Sequence, residues 1–246
     1  MADGTLKGQA ALVTGAARRI GRAVALRLAA EGSRVAVHYG RSKDEADAVV
    51  SEIQRAGGEA FCVPADLARP ADVARLFDET ERRFGGLDIL VNNAGVFSPT
   101  PLAEATEGEW DRVLDSNLKS QFLCAQRAAP LLTRSGRGRI VNLASLGGLL
   151  PWPKYTAYCV SKAGVIMLTR CLARTLAPAV TVNAVAPGTI SFPGDPPEVA
   201  EGYVRRAPLR RTGGGQDIVD AVLYLVNAGF VTGQVLVVDG GRSIPS

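Results

Sequence analysis

Histidine and cysteine are scarce in this 246-residue sequence, and their scarcity excludes several kinds of site. The only histidine is His38, which has no second histidine with which to share a metal ion or a catalytic proton relay. The four cysteines form no CxxC pair and no metal-ligand spacing, and each lies in an apolar stretch. They are predicted to be reduced core residues, and no metal site is expected.

Long runs of one residue type are also missing. No apolar stretch is long enough to span a bilayer, and residues 1–7 lack the basic-then-apolar pattern of a secretory signal. The 28 basic and 24 acidic residues give a net charge of +4 without the dense basic arm typical of nucleic-acid binding. We therefore expect a cytoplasmic protein with no membrane or nucleic-acid partner, whose pI near 9.0 suits small anionic ligands.

Short apolar runs alternate with helical stretches along the whole chain. Strands are predicted at residues 10–14, 34–39, 60–64, 87–91, 139–143, 180–185 and 235–238. Helices are predicted at residues 20–30, 43–56, 71–84, 107–132, 157–176 and 217–226. Strands that are apolar throughout indicate a parallel sheet covered on both faces. The sequence thus predicts one α/β domain over residues 1–246, a doubly wound, seven-stranded parallel sheet of the Rossmann type.

Two regions depart from a plain strand–helix alternation. Residues 187–208 are rich in proline and glycine and too long for a structureless connection, so a substrate lid is predicted at about residues 188–208. The helices at 107–132 and 157–176 are apolar over more surface than one sheet contact needs. That excess predicts a partner buried against them.

A glycine-containing turn follows the first strand and opens the first helix, in the sequence Thr14-Gly15-Ala16-Ala17-Arg18-Arg19-Ile20-Gly21. In this position a turn lets backbone N–H groups face a pyrophosphate. A tight connection that binds nothing is the alternative, but the place after the first strand of a doubly wound sheet favours a cofactor site. Gly15, Arg18, Arg19, Ile20 and Gly21 are the candidate residues.

No carboxylate stands at the end of the second strand, where NAD-selective folds place one for the ribose hydroxyls. The segment is His38-Tyr39-Gly40-Arg41-Ser42. Arg41 and Ser42, with Arg18 and Arg19, are instead suited to hold a 2′-phosphate, which predicts NADP(H); solvated arginines are the alternative. His38 and Tyr39 are included in the candidate cofactor set, with His38 expected to pack or hydrogen-bond at the strand end.

With this turn, Asn92-Asn93-Ala94-Gly95 after the fourth strand, Asn117, Ser145, and Tyr158 with Lys162, the chain resembles the short-chain dehydrogenase/reductase family. The resemblance runs from the first strand to Gly241. Tyr-x-x-x-Lys alone is common on any helix, because residues four apart share a face. Four residues in this order and spacing match the catalytic tetrad of that family.

The resemblance implies a role for each member of the tetrad. Tyr158 would act as general acid or base on the substrate oxygen, and the charge of Lys162 would lower the tyrosine pKa. Lys162 would also hydrogen-bond the nicotinamide ribose. Ser145 would donate a hydrogen bond to the substrate oxygen, and Asn117 would hold a proton-relay water against the lysine.

The resemblance also implies further cofactor contacts at the strand ends. They are Asp66 and Leu67 for the adenine, Asn93, Ala94 and Gly95 for the adenosine ribose, and Pro187, Gly188, Ile190 and Ser191 for the nicotinamide side, with Ser191 at the carboxamide. A homotetramer is implied as well, with a dimer as the fallback.

Two departures from the family pattern stand out: Arg19 replaces a glycine of the phosphate turn, and Phe192 replaces a threonine of the lid. The Arg18-Arg19 pair, the His-Tyr-x-Arg-Ser segment, residues 192–197 and residues 230–233 resemble the pteridine reductase branch. Ser145, however, occupies a place where that branch often has aspartate.

The leading hypothesis is NADP(H)-dependent reduction of a ketone or a 3-oxoacyl thioester, as in the 3-oxoacyl reductase-like members. Reduction of a pterin ring is the alternative, and four rings are candidates to line the pocket: Phe97, Trp152, Phe192 and Tyr203. A sensor that binds the nucleotide without chemistry is a third reading. Because Tyr158 and Lys162 are both present, an enzyme is favoured.

Overall fold

The computed structural model describes residues 5–99 and 101–245, and its centre is a parallel sheet in the order β3-β2-β1-β4-β5-β6-β7. The strands are β1 (Ala10–Val13), β2 (Arg34–Tyr39), β3 (Ala60–Pro64), β4 (Ile89–Asn92), β5 (Gly138–Leu143), β6 (Val180–Pro187) and β7 (Val235–Val238). Every neighbouring pair is parallel. The predicted seven-stranded doubly wound fold is confirmed.

Helices cover both faces of this sheet. They are α1 (Arg19–Ala30), α2 (Lys43–Arg55), α3 (Pro70–Phe84), α4 (Glu107–Leu114), α5 (Ser120–Ser135), α6 (Thr156–Leu176), α7 (Pro197–Val204) and α8 (Gly215–Asn227). Alternate strand residues point to opposite faces. Val13 packs with α1, α2 and α8, whereas Leu12 packs with α3, α5 and α6. This two-sided burial explains why the strands are apolar throughout.

The sheet order reverses between β1 and β4, because the chain runs outward to β3 and then returns to the other side of β1. At such a switch point the loops leaving the carboxyl ends of two neighbouring strands diverge and leave a crevice. The loops after β1 and β4 open here, and those after β5 and β6 follow along the same edge. These four loops carry most of the candidate residues.

The single helix predicted over residues 107–132 is wrong in one respect. A π turn over Asp115–Lys119 separates α4 from α5, and the Ser120 N–H donates to the Asp115 carbonyl. A π turn inserts one residue into the helix, and hydrophobic periodicity does not register it because the apolar face resumes afterwards. Asn117 is completely buried inside this turn.

The predicted lid is not irregular throughout, since α7 lies within it.

The expectation about the cysteines needs correction, and the expectation of a single domain remains open. Of the four cysteines, which are all free, only Cys124 is buried, and Cys171 is exposed on the outer side of α6. The single-domain prediction for residues 1–246 extends beyond the described ranges and stays a prediction.

Residues 5–99 and 101–245 include no helix with the length and apolar character needed to cross a membrane. Within the same ranges, no group of three or more metal-ligating side chains comes together.

Candidate active site

The phosphate turn between β1 and α1 is tied to the loop that follows β4. The side-chain amide of Asn93 donates to the carbonyls of Thr14 (2.8 Å) and Gly15 (3.1 Å). In return, the Thr14 hydroxyl accepts the N–H groups of Asn93 (2.9 Å) and Ala94 (3.0 Å). Four hydrogen bonds therefore fix the two sides of the crevice relative to each other.

Gly21 shows why this turn fits an extended anionic ligand. A Cβ at Gly21 would lie 2.3 Å from the Gly15 oxygen and 2.5 Å from the Asn93 amide nitrogen, so only glycine allows α1 to start this close to the turn. The first turn of α1 carries no acidic residue, which leaves its N-terminal N–H groups and positive dipole end available to an anion. The pyrophosphate of a dinucleotide fits this cradle.

His38 supports the phosphate turn from beneath. Its Nδ1 accepts the Gly15 N–H at 3.0 Å, and its Nε2 donates to the Ala65 carbonyl at 3.1 Å. Burial lowers the pKa of His38 to about 4, so the ring is neutral near pH 7. Both ring nitrogens have protein partners. The structure shows the expected hydrogen-bonding role at the strand end, and a direct contact of His38 with the cofactor stays a prediction.

Of the three arginines predicted to share one phosphate, Arg19 is bonded to a distant carboxylate, and the role of Arg18 and Arg41 stays a prediction. Arg41 is exposed at the end of β2 beside the half-buried Ser42. Arg18 lies 3.5 Å from Glu45 in an exposed ion pair, which contributes little to stability. Arg19 turns away to the lid and binds Asp195 at 2.6 Å. A local sequence pattern does not reveal this partner, since it lies far along the chain.

The other predicted adenosine-side positions fall into two groups. Asp66 is exposed at the end of β3, where its carboxylate accepts the Ala68 N–H at 3.1 Å. Tyr39 and Leu67 are buried in the cores on the two faces of the sheet. Gly95 packs against Asn117, whose side-chain oxygen would lie 2.9 Å from a Cβ at that position.

Ser145, Tyr158 and Lys162 come together at the carboxyl end of β5. Ser145 follows that strand and is buried, and its hydroxyl accepts the Gly147 N–H at 3.0 Å. Tyr158 is hydrogen-bonded to Ser145. Lys162, one turn further along α6, donates to the Leu143 carbonyl at 2.7 Å, and its nitrogen lies 5.9 Å from the centre of the Tyr158 ring. The three side chains form one cluster.

Burial governs the ionisation of this cluster. It raises the pKa of Tyr158 to about 12, and the hydrogen bond with Ser145 only partly opposes it. Burial likewise lowers the pKa of Lys162 to about 8. The resemblance implied that Lys162 lowers the tyrosine pKa, whereas here burial is the largest influence on that pKa and raises it. A tyrosine that stays protonated at neutral pH is suited to donate a proton.

Asn117 connects the π turn to two other parts of the site. Its side-chain oxygen accepts the Val96 N–H at 2.7 Å, and its amide donates to the Val96 carbonyl (3.0 Å) and the Ser161 hydroxyl (3.1 Å). Ser161 in turn donates to the Tyr158 carbonyl at 2.7 Å. The side chain predicted to hold a water thus has protein partners at both polar atoms. The one sequence signal that could have identified Ser161 is its polar side chain beside Lys162 in an otherwise apolar helix.

Gly188 opens the segment after β6 and lies under α7. A Cβ there would meet the Tyr203 oxygen at 2.0 Å, and Tyr203 itself donates to the Asp239 carbonyl. Pro187, at the end of β6, is buried. Ile190 and Ser191 run beside Gly213, whose carbonyl accepts the Ser191 N–H at 2.9 Å. The early lid is therefore anchored to the segment between α7 and α8.

Four rings cluster at the candidate catalytic tyrosine. Phe97 stacks on Tyr155 with centroids 4.6 Å apart and meets Tyr158 edge to face at 4.9 Å. Trp152 lies parallel to Tyr158 at 6.1 Å. Phe97 and Trp152 were expected in this place, whereas Tyr155 was not. The other two predicted rings have different partners, since Phe192 packs against the Arg19 guanidinium and Tyr203 donates to the Asp239 carbonyl just after β7.

Known proteins resemble this chain over nearly its whole length. A family model described as enoyl-(acyl carrier protein) reductase matches residues 15–243. A 3-oxoacyl-(acyl-carrier-protein) reductase of Staphylococcus epidermidis is 43% identical over 241 residues, covering 95% of this chain and 98% of the relative. A short-chain type dehydrogenase/reductase of Picea abies is 41% identical, covering 96% and 93% of the two chains.

A solved structure agrees with these relatives. The 7α-hydroxysteroid dehydrogenase complexed with NADH and 7-oxo glycochenodeoxycholic acid superposes with a TM-score of 0.92 at 34% identity, over 97% of this chain and 96% of that one. The chain belongs to the short-chain dehydrogenase/reductase family. It is a nicotinamide-dependent oxidoreductase that acts on CH–OH and C=O groups, and the relatives do not favour the pteridine reading.

Proposed function

We propose that this enzyme uses NADP(H) to reduce the ketone of a 3-oxoacyl thioester or a related substrate to an alcohol. The observation that carries the proposal is the half-buried Tyr158, whose hydroxyl is hydrogen-bonded to Ser145 and whose pKa burial raises to about 12, so that it is protonated at neutral pH. A protonated phenol matches reduction, because the carbonyl oxygen must gain a proton as it becomes an alcohol.

The cofactor supplies the hydride when it is bound. The chain would hold it along the edge of the sheet from β3 to β6, using the residues proposed here as its cofactor set: Gly15, Arg18, Ile20, Gly21, Tyr39, Arg41, Ser42, Asp66, Leu67, Asn93, Ala94, Gly95, Tyr158, Lys162, Pro187, Gly188, Ile190 and Ser191. The Gly21 cradle and the carboxylate-free start of α1 support the pyrophosphate position.

The tetrad divides the remaining work. Ser145 donates a hydrogen bond to the substrate oxygen as negative charge develops there, and Tyr158 passes its proton to the same atom. Burial removes the water that would stabilise a tyrosinate, and the positive charge of Lys162 partly replaces that stabilisation when Tyr158 ionises. Asn117 acts as a positioning residue, since its bonds to Val96 and Ser161 hold the crevice loop against α6.

The substrate assignment is tested with a panel in which NADPH oxidation is followed with acetoacetyl thioester, crotonyl thioester, a dihydropteridine, a quinone and a simple ketone. We expect the acetoacetyl thioester to give the largest kcat/KM. Turnover of the crotonyl thioester without the acetoacetyl one would instead indicate C=C reduction, and a response to the dihydropteridine alone would restore the pterin hypothesis.

Cofactor choice depends on Arg41 in this proposal. The parent enzyme is expected to prefer NADPH over NADH, and Arg41→Ala to reduce that preference by about tenfold, the effect of one charge-assisted hydrogen bond to the 2′-phosphate. The ratio of kcat/KM values for the two cofactors measures it. Arg55→Ala, which removes an exposed arginine at the far end of α2, is the matched control. Equal use of both cofactors by the parent would contradict the assignment.

We also propose a homotetramer, with a dimer as the smaller alternative, in the cytoplasm. Exposed apolar side chains on α4, α5 and α6 support self-association, namely Trp110, Phe122, Val160 and Met167. They lie on the helices whose excess apolar surface the sequence indicated. The free thiols of all four cysteines are consistent with a reducing compartment.

A further inference from the structure

A bidentate ion pair joins the phosphate turn to the lid. The two terminal nitrogens of Arg19 donate separately to the two carboxylate oxygens of Asp195, at 2.6 and 3.0 Å. Two parallel N–H···O bonds fix the relative orientation of both groups, which a single contact would not do. The partners are 176 residues apart in sequence, so the pair closes a long-range connection across the crevice.

The lid side of this pair is preorganised. The same Asp195 carboxylate accepts the Phe192 N–H at 2.9 Å, and the Asp195 N–H donates to the Phe192 carbonyl at 3.1 Å. These two bonds close a short turn that presents the carboxylate to Arg19. Together the guanidinium and the Phe192 N–H lower the pKa of Asp195 to about 2, so it is ionised throughout the neutral range.

Phe192 adds an apolar contact to the same guanidinium. The Arg19 guanidinium carbon lies 4.7 Å from the centre of the Phe192 ring, within the range of a cation–π contact. The ring edge also packs on the first residue of α8, where a Cβ on Gly215 would come within 3.2 Å. One guanidinium therefore binds a carboxylate and a ring face from a single lid turn.

The backbone at Arg19 indicates that its side chain matters. Arg19 has a φ of 51°, in the left-handed region that disfavours residues with a side chain. A lone exposed ion pair contributes too little to offset that cost. The combined carboxylate and ring contacts of Arg19 are the compensating interaction that the structure provides.

We propose that Arg19 and Asp195, supported by Phe192, form a latch that holds the lid against the phosphate turn and slows release of the nicotinamide cofactor. The inference rests on the proposed function in one respect, namely that the cofactor lies in the crevice between turn and lid. Lid opening limits product release in many enzymes. Arg19 and Asp195 are positioning residues in this account, and Arg19 serves the lid rather than a 2′-phosphate.

The latch is tested by breaking it from either side. Asp195→Asn removes the negative charge of the pair. Arg19→Gly removes the guanidinium, and because glycine adopts a φ of 51° without strain, a change in cofactor release in this variant is not caused by the backbone. We expect each variant to release NADPH about threefold to tenfold faster in stopped-flow fluorescence, because a bidentate charged contact is lost. The double variant should be no faster than either single one, since both remove one interaction.

Glu52→Gln is the matched control, because it breaks the exposed Arg22–Glu52 pair, which joins α1 to α2 and does not involve the lid. Hydrogen exchange of residues 189–196, measured without cofactor, should quicken in both latch variants and not in the control. Unchanged release and exchange in Asp195→Asn would overturn the latch, as would slower release. If the parent does not prefer NADPH, the NADP assignment fails separately, and release is then measured with NADH.

Discussion

Tyr158→Phe is expected to lower kcat by about a thousandfold, because general acid catalysis typically contributes factors of this order. The substitution removes only the hydroxyl. The ring that remains keeps its contacts with Phe97 and Trp152, so neither the pocket nor the fold should change. Cofactor binding, followed by NADPH fluorescence, should stay within about tenfold of the parent, which separates lost chemistry from lost affinity.

The chain offers a close control in Tyr155. This residue belongs to the same ring cluster and stacks on Phe97 at 4.6 Å. Tyr155→Phe removes an equivalent hydroxyl close by and should leave kcat within about twofold of the parent if only the Tyr158 proton is transferred. Retained turnover in Tyr158→Phe, or an equal loss in Tyr155→Phe, would refute the assignment of the proton donor.

Lys162→Met is expected to abolish turnover and to stabilise the fold at pH 7 by about 1–3 kcal/mol. Lys162 is buried, and among the described residues it has no carboxylate partner. Burial lowers its pKa from 10.5 to about 8, so the folded state must carry a poorly solvated charge at neutral pH. Methionine fills a similar space without that cost.

The pH dependence of the stabilisation by Lys162→Met identifies desolvation of the lysine as its cause. In the parent, the folded lysine loses its proton at about pH 8, whereas the unfolded lysine keeps it until about 10.5. Parent stability from this group therefore rises with pH between these values, and the advantage of methionine should shrink at pH 10. Thermal unfolding at both pH values measures this. Lys154→Met, at an exposed lysine, should show no such difference, and a constant or growing advantage would exclude desolvation as the cause.

Much of the fold was predictable because burial on both faces of a parallel sheet leaves an unmistakable sequence pattern. Leu12 and Val13 are both apolar since each faces a core, and the strands around them were found within a few residues. The candidate tetrad was identified by the order and spacing of four residues, and three of them meet at the end of β5. Their meeting follows from the topology, because strand ends and the following helices share one edge.

What the sequence did not predict depends on contacts between distant residues or on solvation. The partner of Arg19 is Asp195, which no local pattern links to it. The π turn at Asn117 leaves the apolar period intact and so is invisible in it. The pKa of Tyr158 was expected to fall because of the lysine, but its direction depends on how deeply the ring is buried. That depth is known only once the rings of Phe97 and Trp152 are in place.

The buried His38 determines how pH experiments on this enzyme are interpreted. Because its pKa is about 4, the only imidazole of the chain keeps one charge state from pH 5.5 upward, and the bond it accepts from Gly15 persists throughout. Rate changes between pH 6 and 9 therefore do not report a titrating phosphate turn. They can be assigned to Lys162, whose pKa burial lowers to about 8, whereas a loss of cofactor affinity near pH 4 would mark protonation of this histidine.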